Sequence, residues 1–299
     1  MGYRTLYIRD SEKLKLYLDN VVVETDKGEL QFLISDLKFL IIDNYKTTLS
    51  TRLINELTKS NVSVVVCDMT HMPQNQIIPL NGYYASSGMM HKQISWDDNM
   101  KKLIHRLIVM AKVQSQIEIL KRNGKSIQVI EKLISYKNEV MPGDVTNREG
   151  LSAKMYFREL FGPNFNRFDD DIINAGLNYG YAVFRSLITS TVVSKGLLPN
   201  FGLFHHNQSN FFNLSDDLIE VYRPLVDNWV FNNLINKELL EKNDREALIR
   251  LTDVKIRMNG QLFLINNTIE MYLESIIRCF DQNDISLFCS PELSEIHDL

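Results

Sequence analysis

The first ninety residues alternate between short apolar runs and turn residues, a pattern typical of β-strands. In 13–24 (KLKLYLDNVVVE), leucine recurs at every second position before Asp19-Asn20, and three valines follow. This arrangement predicts a strand, a turn and a second strand. Other apolar runs predict strands over 29–35, 36–43 and 63–68, and a helix over 47–60. We therefore expect a small β-rich N-terminal domain over 1–90, whose edge lies in the proline-containing stretch 71–84.

Beyond residue 95 the apolar positions recur with the period of an α-helix. One stripe over 97–123 predicts a long helix that ends at Gly124, and a second stripe predicts a helix over 126–138. The helical pattern over 169–197 contains Gly176 and Gly180. Each glycine costs about 1 kcal/mol relative to alanine in a helix interior, so we expect close packing against another helix there. The chain is thus predicted to be an α+β multidomain protein, with a linker over 91–96 and a larger all-α domain over 97–299.

The composition is that of a globular protein, with 44% hydrophobic and 23% charged residues among 299. Cys67, Cys279 and Cys289 show no paired spacing, which favours reduced thiols over a disulfide framework. No apolar run approaches the length of a membrane span, and the N-terminus lacks the apolar core of a signal peptide. We expect a cytoplasmic protein without a membrane partner.

Positive charge is concentrated in one segment, although the net charge of the chain is −4. Residues 101–137 carry nine Lys and Arg against two acids, whereas 281–299 carries five acids and neither Lys nor Arg. Such a basic element can bind a polyanion such as DNA, and it can equally be the solvated face of a helix. The candidates for DNA binding within it are Lys101, Lys102, Arg106, Lys112, Lys121, Arg122 and Lys125. Further candidates that lie close in sequence to acidic residues are Lys154, Arg158 and Arg223.

The segment 214–224 (LSDDLIEVYRP) carries acids that capping explains only in part. Ser215 can be an N-cap, and Asp216 in the first turn can complement the helix dipole. Glu220 lies a turn further on, where capping does not account for it. Asp217 and Glu220 are three residues apart, so their like charges share one helix face and, in a cleft, favour a cation between them.

Glu149 and the pair His205-His206 each admit two interpretations. Glu149 either forms a capping box with Thr146 or heads an apolar face that lines a cleft. Adjacent histidines point apart, so at most one of them is a ligand, and a lone histidine is more often a surface or core residue. A Glu, a His and a Glu from separate segments could together hold Mg²⁺ or Mn²⁺, with the number of ions open.

These blocks resemble the CRISPR-associated integrase family, the endonucleases that insert new spacers into a CRISPR array. The resemblance covers most of the chain and rests on the order and spacing of four blocks: REGLSAKMYF around Glu149, NAGLNYGYAVF (174–184), SKGLLPNFGLFH ending at His205, and LSDDLIEVYRPLVD from Leu214. In addition, KVQSQIEIL (112–120) fits a family pattern of Lys and Gln on the basic helix.

The resemblance implies that Glu149, His205 and Glu220 are the catalytic metal ligands and that Asp217 is an accessory acid. Glu220 stands where other members often have Asp, which keeps the ligand and can shift the metal slightly. His206 has no identified counterpart and is treated as a bystander.

The resemblance also implies a fold and a set of partners. Family members have a small N-terminal β-sandwich domain, through which they form homodimers, and a helical catalytic domain that binds metal and DNA. Two such dimers flank a dimer of a small ferredoxin-like subunit of CRISPR adaptation. The blocks look most like members encoded beside an RNA-guided effector nuclease, which is therefore a further expected partner. The expected DNA partners are a double-stranded prespacer and the CRISPR repeat.

The expected activity is metal-dependent phosphoryl transfer on DNA. The 3′-hydroxyl of a short duplex attacks a phosphodiester at the edge of a repeat, assisted by Mg²⁺ or Mn²⁺. With water as the nucleophile, the same site is a nuclease. Two other functions stay open: a metal-dependent nuclease of repair that does not integrate, and a non-catalytic dimeric scaffold that binds DNA.

Overall fold

The computed structural model of the protein describes residues 2, 4–10, 13–26, 28–79 and 86–297. It divides into two compact units, 1–90 with 189–197, and 91–188 with 198–299. Strands dominate the first unit and helices the second. The predicted α+β chain with its strands first is therefore confirmed.

The described strands of the N-terminal unit are β1 (Arg4–Ile8), β2 (Lys13–Tyr17), β3 (Asn20–Thr25), β4 (Gly28–Leu33), β5 (Leu37–Ile42), β6 (Thr48–Leu49), β7 (Ser63–Cys67) and β8 (Pro73–Ile77). Strands β2, β3, β4, β5 and β7 fall where the apolar runs predict them, whereas β1, β6 and β8 were not predicted. One sheet has the strand order β1-β5-β7-β8, and another has the order β4-β3-β2-β6. Strands β2 and β3 form the predicted antiparallel hairpin, with Leu14 opposite Val23. The stretch predicted as an irregular domain edge contains β8, and its last residues lie outside the described part of the chain.

Side chains from both sheets share one core with helix α1 (Thr51–Lys59). Leu14 and Val21 come from one sheet, and Leu40 comes from the other. Helix α1 adds Leu53 and Leu57, whose spacing on one face predicted this helix. Such burial of apolar surface is the main stabilising term for a unit of this size.

The chain continues mostly as helices. They are α2 (Ser86–Ile94), α3 (Asp98–Arg122), α4 (Ile127–Asn138), α5 (Arg148–Phe161), α6 (Ile172–Ser194), α7 (Asn213–Ile219), α8 (Arg223–Leu234), α9 (Lys242–Arg250) and α10 (Ile265–Gln282). The segment 91–96, expected to be a linker, is helical as far as Ile94. Helix α3 begins after Asp97, whose carboxylate accepts a hydrogen bond from the Met100 N–H at 2.8 Å. None of the described helices is long and apolar enough to cross a membrane.

The prediction that 97–299 is all α-helical is wrong, because a small sheet follows α9. Its strands are β9 (Lys255–Met258), β10 (Gln261–Leu264) and β11 (Glu292–His297), in the order β10-β9-β11. Asn259 and Gly260 form the turn between β9 and β10 with φ of 50° and 76°. An Asn-Gly pair adopts such positive φ values readily, so this dipeptide was the available signal for a hairpin.

Glycines in α6 permit close packing against α8, as the sequence predicted. A β-carbon on Gly176 would lie 2.4 Å from Cδ1 of Leu234, and one on Gly180 would lie 2.4 Å from Cγ1 of Val226. Both distances are far below van der Waals contact, so only glycine lets the two helices come this close.

Candidate active site

A buried lysine lies between two carboxylates in the helical unit. The Nζ atom of Lys112, near the middle of α3, lies 2.6 Å from Oε1 of Glu149 and 2.5 Å from Oε2 of Glu220. The Lys112 side chain is 10% exposed. The sequence pattern predicts Lys112 as one of the candidates for DNA binding. The structure instead places its charge inside the protein, in contact with two of the three predicted metal ligands.

The carboxylate of Glu149 reaches this position because other residues cap its helix. Helix α5 has Asn147 as its N-cap, in the left-handed conformation with φ of 51°, and the Asn147 side chain accepts from the Gly150 N–H. The carboxylate of Asp144 accepts the N–H groups of Arg148 and Glu149 at 2.8 and 2.9 Å. The expected capping box between Thr146 and Glu149 does not form, since Asn147 and Asp144 already satisfy the N–H groups of the first turn.

Glu220 follows directly after α7 and is buried. Helix α7 begins at Asn213, three residues before the start that an N-cap at Ser215 would give. The Glu220 carboxylate lies between two cations, because Oε1 is 3.2 Å from Nε of Arg223 while Oε2 contacts Lys112. The negative charge of Glu220 is therefore compensated on both sides, as burial of a carboxylate requires.

Asp217 holds the loop that carries His205. Its carboxylate accepts backbone N–H groups from Leu203 at 2.6 Å, Phe204 at 3.0 Å and His205 at 3.2 Å. Gly202 precedes this turn, and a β-carbon there would lie 2.4 Å from the His205 carbonyl oxygen and 2.8 Å from Oδ2 of Asp217. Both oxygens of Asp217, the predicted accessory acid, thus hold the backbone of the loop in place.

The imidazole of His205 is oriented by the same carboxylate. Its Nδ1 atom lies 2.7 Å from Oδ1 of Asp217. If Nδ1 donates in this hydrogen bond, Nε2 is the nitrogen with the lone pair, which is the state that metal-binding histidines adopt. The hydrogen bond with Asp217 raises the pKa of His205, and the nearby charge of Glu220 adds to this effect.

His105 belongs to the site, and the sequence analysis missed it. Its ring stacks on that of Phe204 with centroids 3.9 Å apart and an interplanar angle of 8°. Its Nε2 atom lies 3.9 Å from Oε2 of Glu149. Burial lowers the pKa of His105, which favours the neutral imidazole. His105 lies seven residues, or about two helical turns, before Lys112. Residues at this spacing share one face of a helix, which was the available signal.

Opposite charges set the protonation states of the central cluster. The charge of Lys112 lowers the pKa of Glu149 to about 2, against the opposing effect of burial. Burial alone would lower the pKa of Lys112, but the charges of Glu220 and Glu149 outweigh it and raise that pKa above its usual value. At neutral pH the cluster therefore contains an ammonium and an ionised Glu149.

Most of the remaining predicted DNA-binding cations lie at the surface. Arg106 and Lys125 are partly buried and donate to the carbonyl oxygens of Val140 and Leu160 at 2.8 and 3.2 Å. The exposed or partly exposed ones are Lys101, Lys102, Lys121, Arg122, Lys154 and Arg158. His206, the predicted bystander, lines a separate cavity of about 340 Å³ together with Lys101.

Within the described ranges, no three or more His, Cys, Asp or Glu side chains lie close enough together to hold a metal ion. The donor set nevertheless fits a divalent cation. Glu149 and Glu220, from separate segments, converge on one positive charge, and the His205 imidazole is oriented by a carboxylate. Carboxylate oxygens with one imidazole nitrogen suit Mg²⁺ and Mn²⁺.

A family model and a curated relative both assign the chain to the same family. The family model described as CRISPR associated protein Cas1 matches residues 6–259. The CRISPR-associated endonuclease Cas1 of Neisseria meningitidis is 33% identical over 227 residues, which is 76% of this chain and 74% of that protein.

Solved structures share the fold. A Cas1 protein from Thermotoga maritima superposes with a TM-score of 0.73 and 18% identity, over 93% of this chain and 97% of that one. A casposase bound to integration product gives a TM-score of 0.71 and 17% identity, over 99% of this chain and 94% of that one. At 18% and 17% sequence identity, these matches show that the chains share a fold.

Proposed function

The chain is a member of the Cas1 family of CRISPR-associated proteins, and from this premise we propose that it is a metal-dependent DNA endonuclease and integrase. It inserts short DNA spacers into a CRISPR array by transesterification. Its relative from Neisseria meningitidis is named as an endonuclease, and the casposase of the same fold was solved with integration product.

One observation supports this function above the others. Two carboxylates, Glu149 and Glu220, come from separate segments of the chain and converge on a single cation inside the protein. Like charges are brought together in this way where a positive charge is to be held between them.

Glu149, His205 and Glu220 are the residues that would hold Mg²⁺ or Mn²⁺. When bound, the ion supplies positive charge that stabilises the attacking oxygen and the scissile phosphate. Asp217 orients the His205 imidazole, and Glu220 holds the guanidinium of Arg223 nearby as a fixed positive charge for the phosphate. These protein groups are in place before the substrate binds, which reduces the reorganisation that the reaction requires.

The reaction exchanges one phosphodiester for another. The 3′-oxygen of the incoming spacer forms a bond to phosphorus and loses its proton to solvent. The bond from phosphorus to the 3′-oxygen of the flanking strand breaks, and that oxygen takes a proton from solvent and becomes a new 3′-hydroxyl. No nucleoside triphosphate is consumed, because the number of phosphodiesters is unchanged. With water in place of the 3′-hydroxyl, the strand is cut.

We assign DNA backbone contacts to the exposed cations of α3 and α5, because phosphate contacts position a duplex without reading its sequence.

We also propose two domains, a β-sandwich domain over 1–90 and a catalytic domain over 97–299. The protein forms a homodimer through the β-sandwich domain. The proposed partners are the small ferredoxin-like adaptation subunit and the RNA-guided effector nuclease, all in the cytoplasm. The shared core of the N-terminal sheets supports the sandwich.

A strand-transfer assay tests the function. We expect the unaltered protein to join a labelled duplex with 3′-hydroxyl ends to a repeat-containing plasmid in Mn²⁺ but not in EDTA. Glu149→Gln and Glu220→Gln should abolish joining, whereas Glu238→Gln, at an exposed position, should not change it. Cleavage without joining would identify a nuclease of repair. Neither activity, with DNA binding retained, would identify a scaffold.

A further inference from the structure

Lys112 carries its charge inside the protein, where an isolated charge would be strongly unfavourable. Its neighbours Ile108, Val109 and Val113 on α3 are buried apolar residues. Contacts with Glu149 and Glu220 compensate the charge. The lysine at this position is therefore explained by the two carboxylates that compensate its charge.

The same geometry places Lys112 in competition with a metal ion. Its ammonium already contacts one oxygen of each carboxylate, at 2.6 and 2.5 Å. Lys112 and Arg223 carry one positive charge each, and Glu149 and Glu220 one negative charge each, so this group is neutral without a metal. A divalent ion bound beside the ammonium would place like charges close together in a poorly solvated region, where their repulsion is strong.

We propose that Lys112 is the resident cation of the metal-free site, and that its ammonium leaves Glu149 and Glu220 when a divalent ion binds. This inference rests on the proposed function, since it requires both carboxylates to be metal ligands. Lysine suits the role because its four-carbon stem has several rotatable bonds and ends in a compact charge. Until the metal arrives, Lys112 keeps two mutually repelling carboxylates together, and it weakens metal binding by competing for them.

The first test measures Mn²⁺ affinity by calorimetry in Lys112→Met, which keeps a long unbranched side chain without the charge. We expect Mn²⁺ to bind this variant at least about tenfold more tightly than the unaltered protein. The metal-free variant should melt at a lower temperature, and Mn²⁺ should restore more of that loss than it adds to the unaltered protein. Lys132→Met, at an exposed position of α4, is the matched control and should bind as the unaltered protein does. Equal or weaker Mn²⁺ binding by Lys112→Met overturns the proposed exchange, in which the metal ion replaces the Lys112 ammonium at the two carboxylates.

Lys112→Met leaves two carboxylates without a cation and can fail to fold, so the second test uses the unaltered protein. Crystal structures with and without Mg²⁺ locate the ammonium directly. We expect Nζ to lie beyond hydrogen-bond distance, more than about 3.5 Å, from both carboxylates in the Mg²⁺ form. An ion bound while Nζ still contacts both carboxylates overturns the exchange.

The outcomes separate this inference from the proposed function. Mn²⁺ binding that is absent, or that survives Glu149→Gln, contradicts the metal site and the exchange together. Mn²⁺ binding that requires Glu149 and is unaffected by the charge of Lys112 contradicts the exchange alone.

Discussion

The Nδ1 atom of His205 lies 2.7 Å from Oδ1 of Asp217, and the same carboxylate accepts the backbone N–H of His205. Asp217 therefore fixes both the loop and the ring orientation of a proposed metal ligand. A carboxylate behind a ligating histidine raises its basicity and selects the nitrogen that binds. The importance of Asp217 therefore follows from the loop and the imidazole that it holds.

Asp217→Asn should weaken Mn²⁺ binding by about 10- to 100-fold, because the amide offers one acceptor oxygen where the loop uses two. Calorimetry with Mn²⁺ measures this effect, with strand transfer as a second readout. Asp216→Asn is the matched control, since the Asp216 carboxylate accepts from the side chain of Asn210, whereas Asp217 accepts the backbone N–H groups of 203–205. Unchanged Mn²⁺ affinity in Asp217→Asn would show that the hydrogen bond to His205 does not position a ligand.

Gly202→Ala should reduce strand transfer and lower the melting temperature. The added β-carbon would lie 2.4 Å from the His205 carbonyl oxygen, a backbone atom that cannot move without displacing the loop. The two measurements are needed together, because the substitution disturbs both the fold and the site. Full activity at an unchanged melting temperature would show that the loop accommodates a methyl group. That result would contradict the close approach of the His205 carbonyl oxygen to Gly202.

Gly180→Ala should destabilise the helical unit by about 1–3 kcal/mol, the usual effect of overpacking. Its β-carbon would lie 2.4 Å from Cγ1 of Val226, on the facing helix. Gly88→Ala in α2 is the control, since a β-carbon there meets no atom within 4 Å. The control should leave stability unchanged or raise it by up to about 1 kcal/mol, because alanine favours helix. Urea unfolding measures both, and equal effects at the two positions would contradict close packing of α6 on α8.

Stability should fall as the pH rises from about 4 to 7 because of Asp227. Burial raises the pKa of this carboxyl to about 7, although the hydroxyl of Tyr181 donates a hydrogen bond to it. The folded protein then binds more protons than the unfolded chain in this window, so raising the pH favours unfolding. Asp227→Asn removes the titration and should flatten the decline. Free energies of unfolding at several pH values test this, and parallel curves for the two proteins would exclude Asp227 as the cause.

Long periodic segments were predictable from sequence because each carries its own signal. The apolar stripe over 97–123 corresponds to α3, and the leucines and valines of 13–24 correspond to the β2–β3 hairpin. Asn259-Gly260 carried an equally local signal for the β9–β10 hairpin, and the assumption of an all-helical domain overlooked it. In each case a few neighbouring residues determine the element.

The interior of the site was less predictable, because it depends on residues distant in sequence. Asn147 caps α5 in place of Thr146, and this choice depends on the approach of Asp144 to the same helix end. Lys112 resembles the other basic residues of α3 until Glu149 and Glu220 are brought beside it. Charge counts along a chain cannot distinguish a solvated lysine from one that neutralises two buried carboxylates.

A divalent ion held by Glu149, His205 and Glu220 is the element on which the proposed chemistry depends. Anomalous diffraction at the manganese edge, from crystals grown with Mn²⁺, locates such an ion directly. We expect an anomalous peak in contact with the two carboxylates and with Nε2 of His205. Saturating Mn²⁺ with no peak there, and with Glu149 and Glu220 still bound to Lys112, would contradict the metal site and the integrase mechanism built on it.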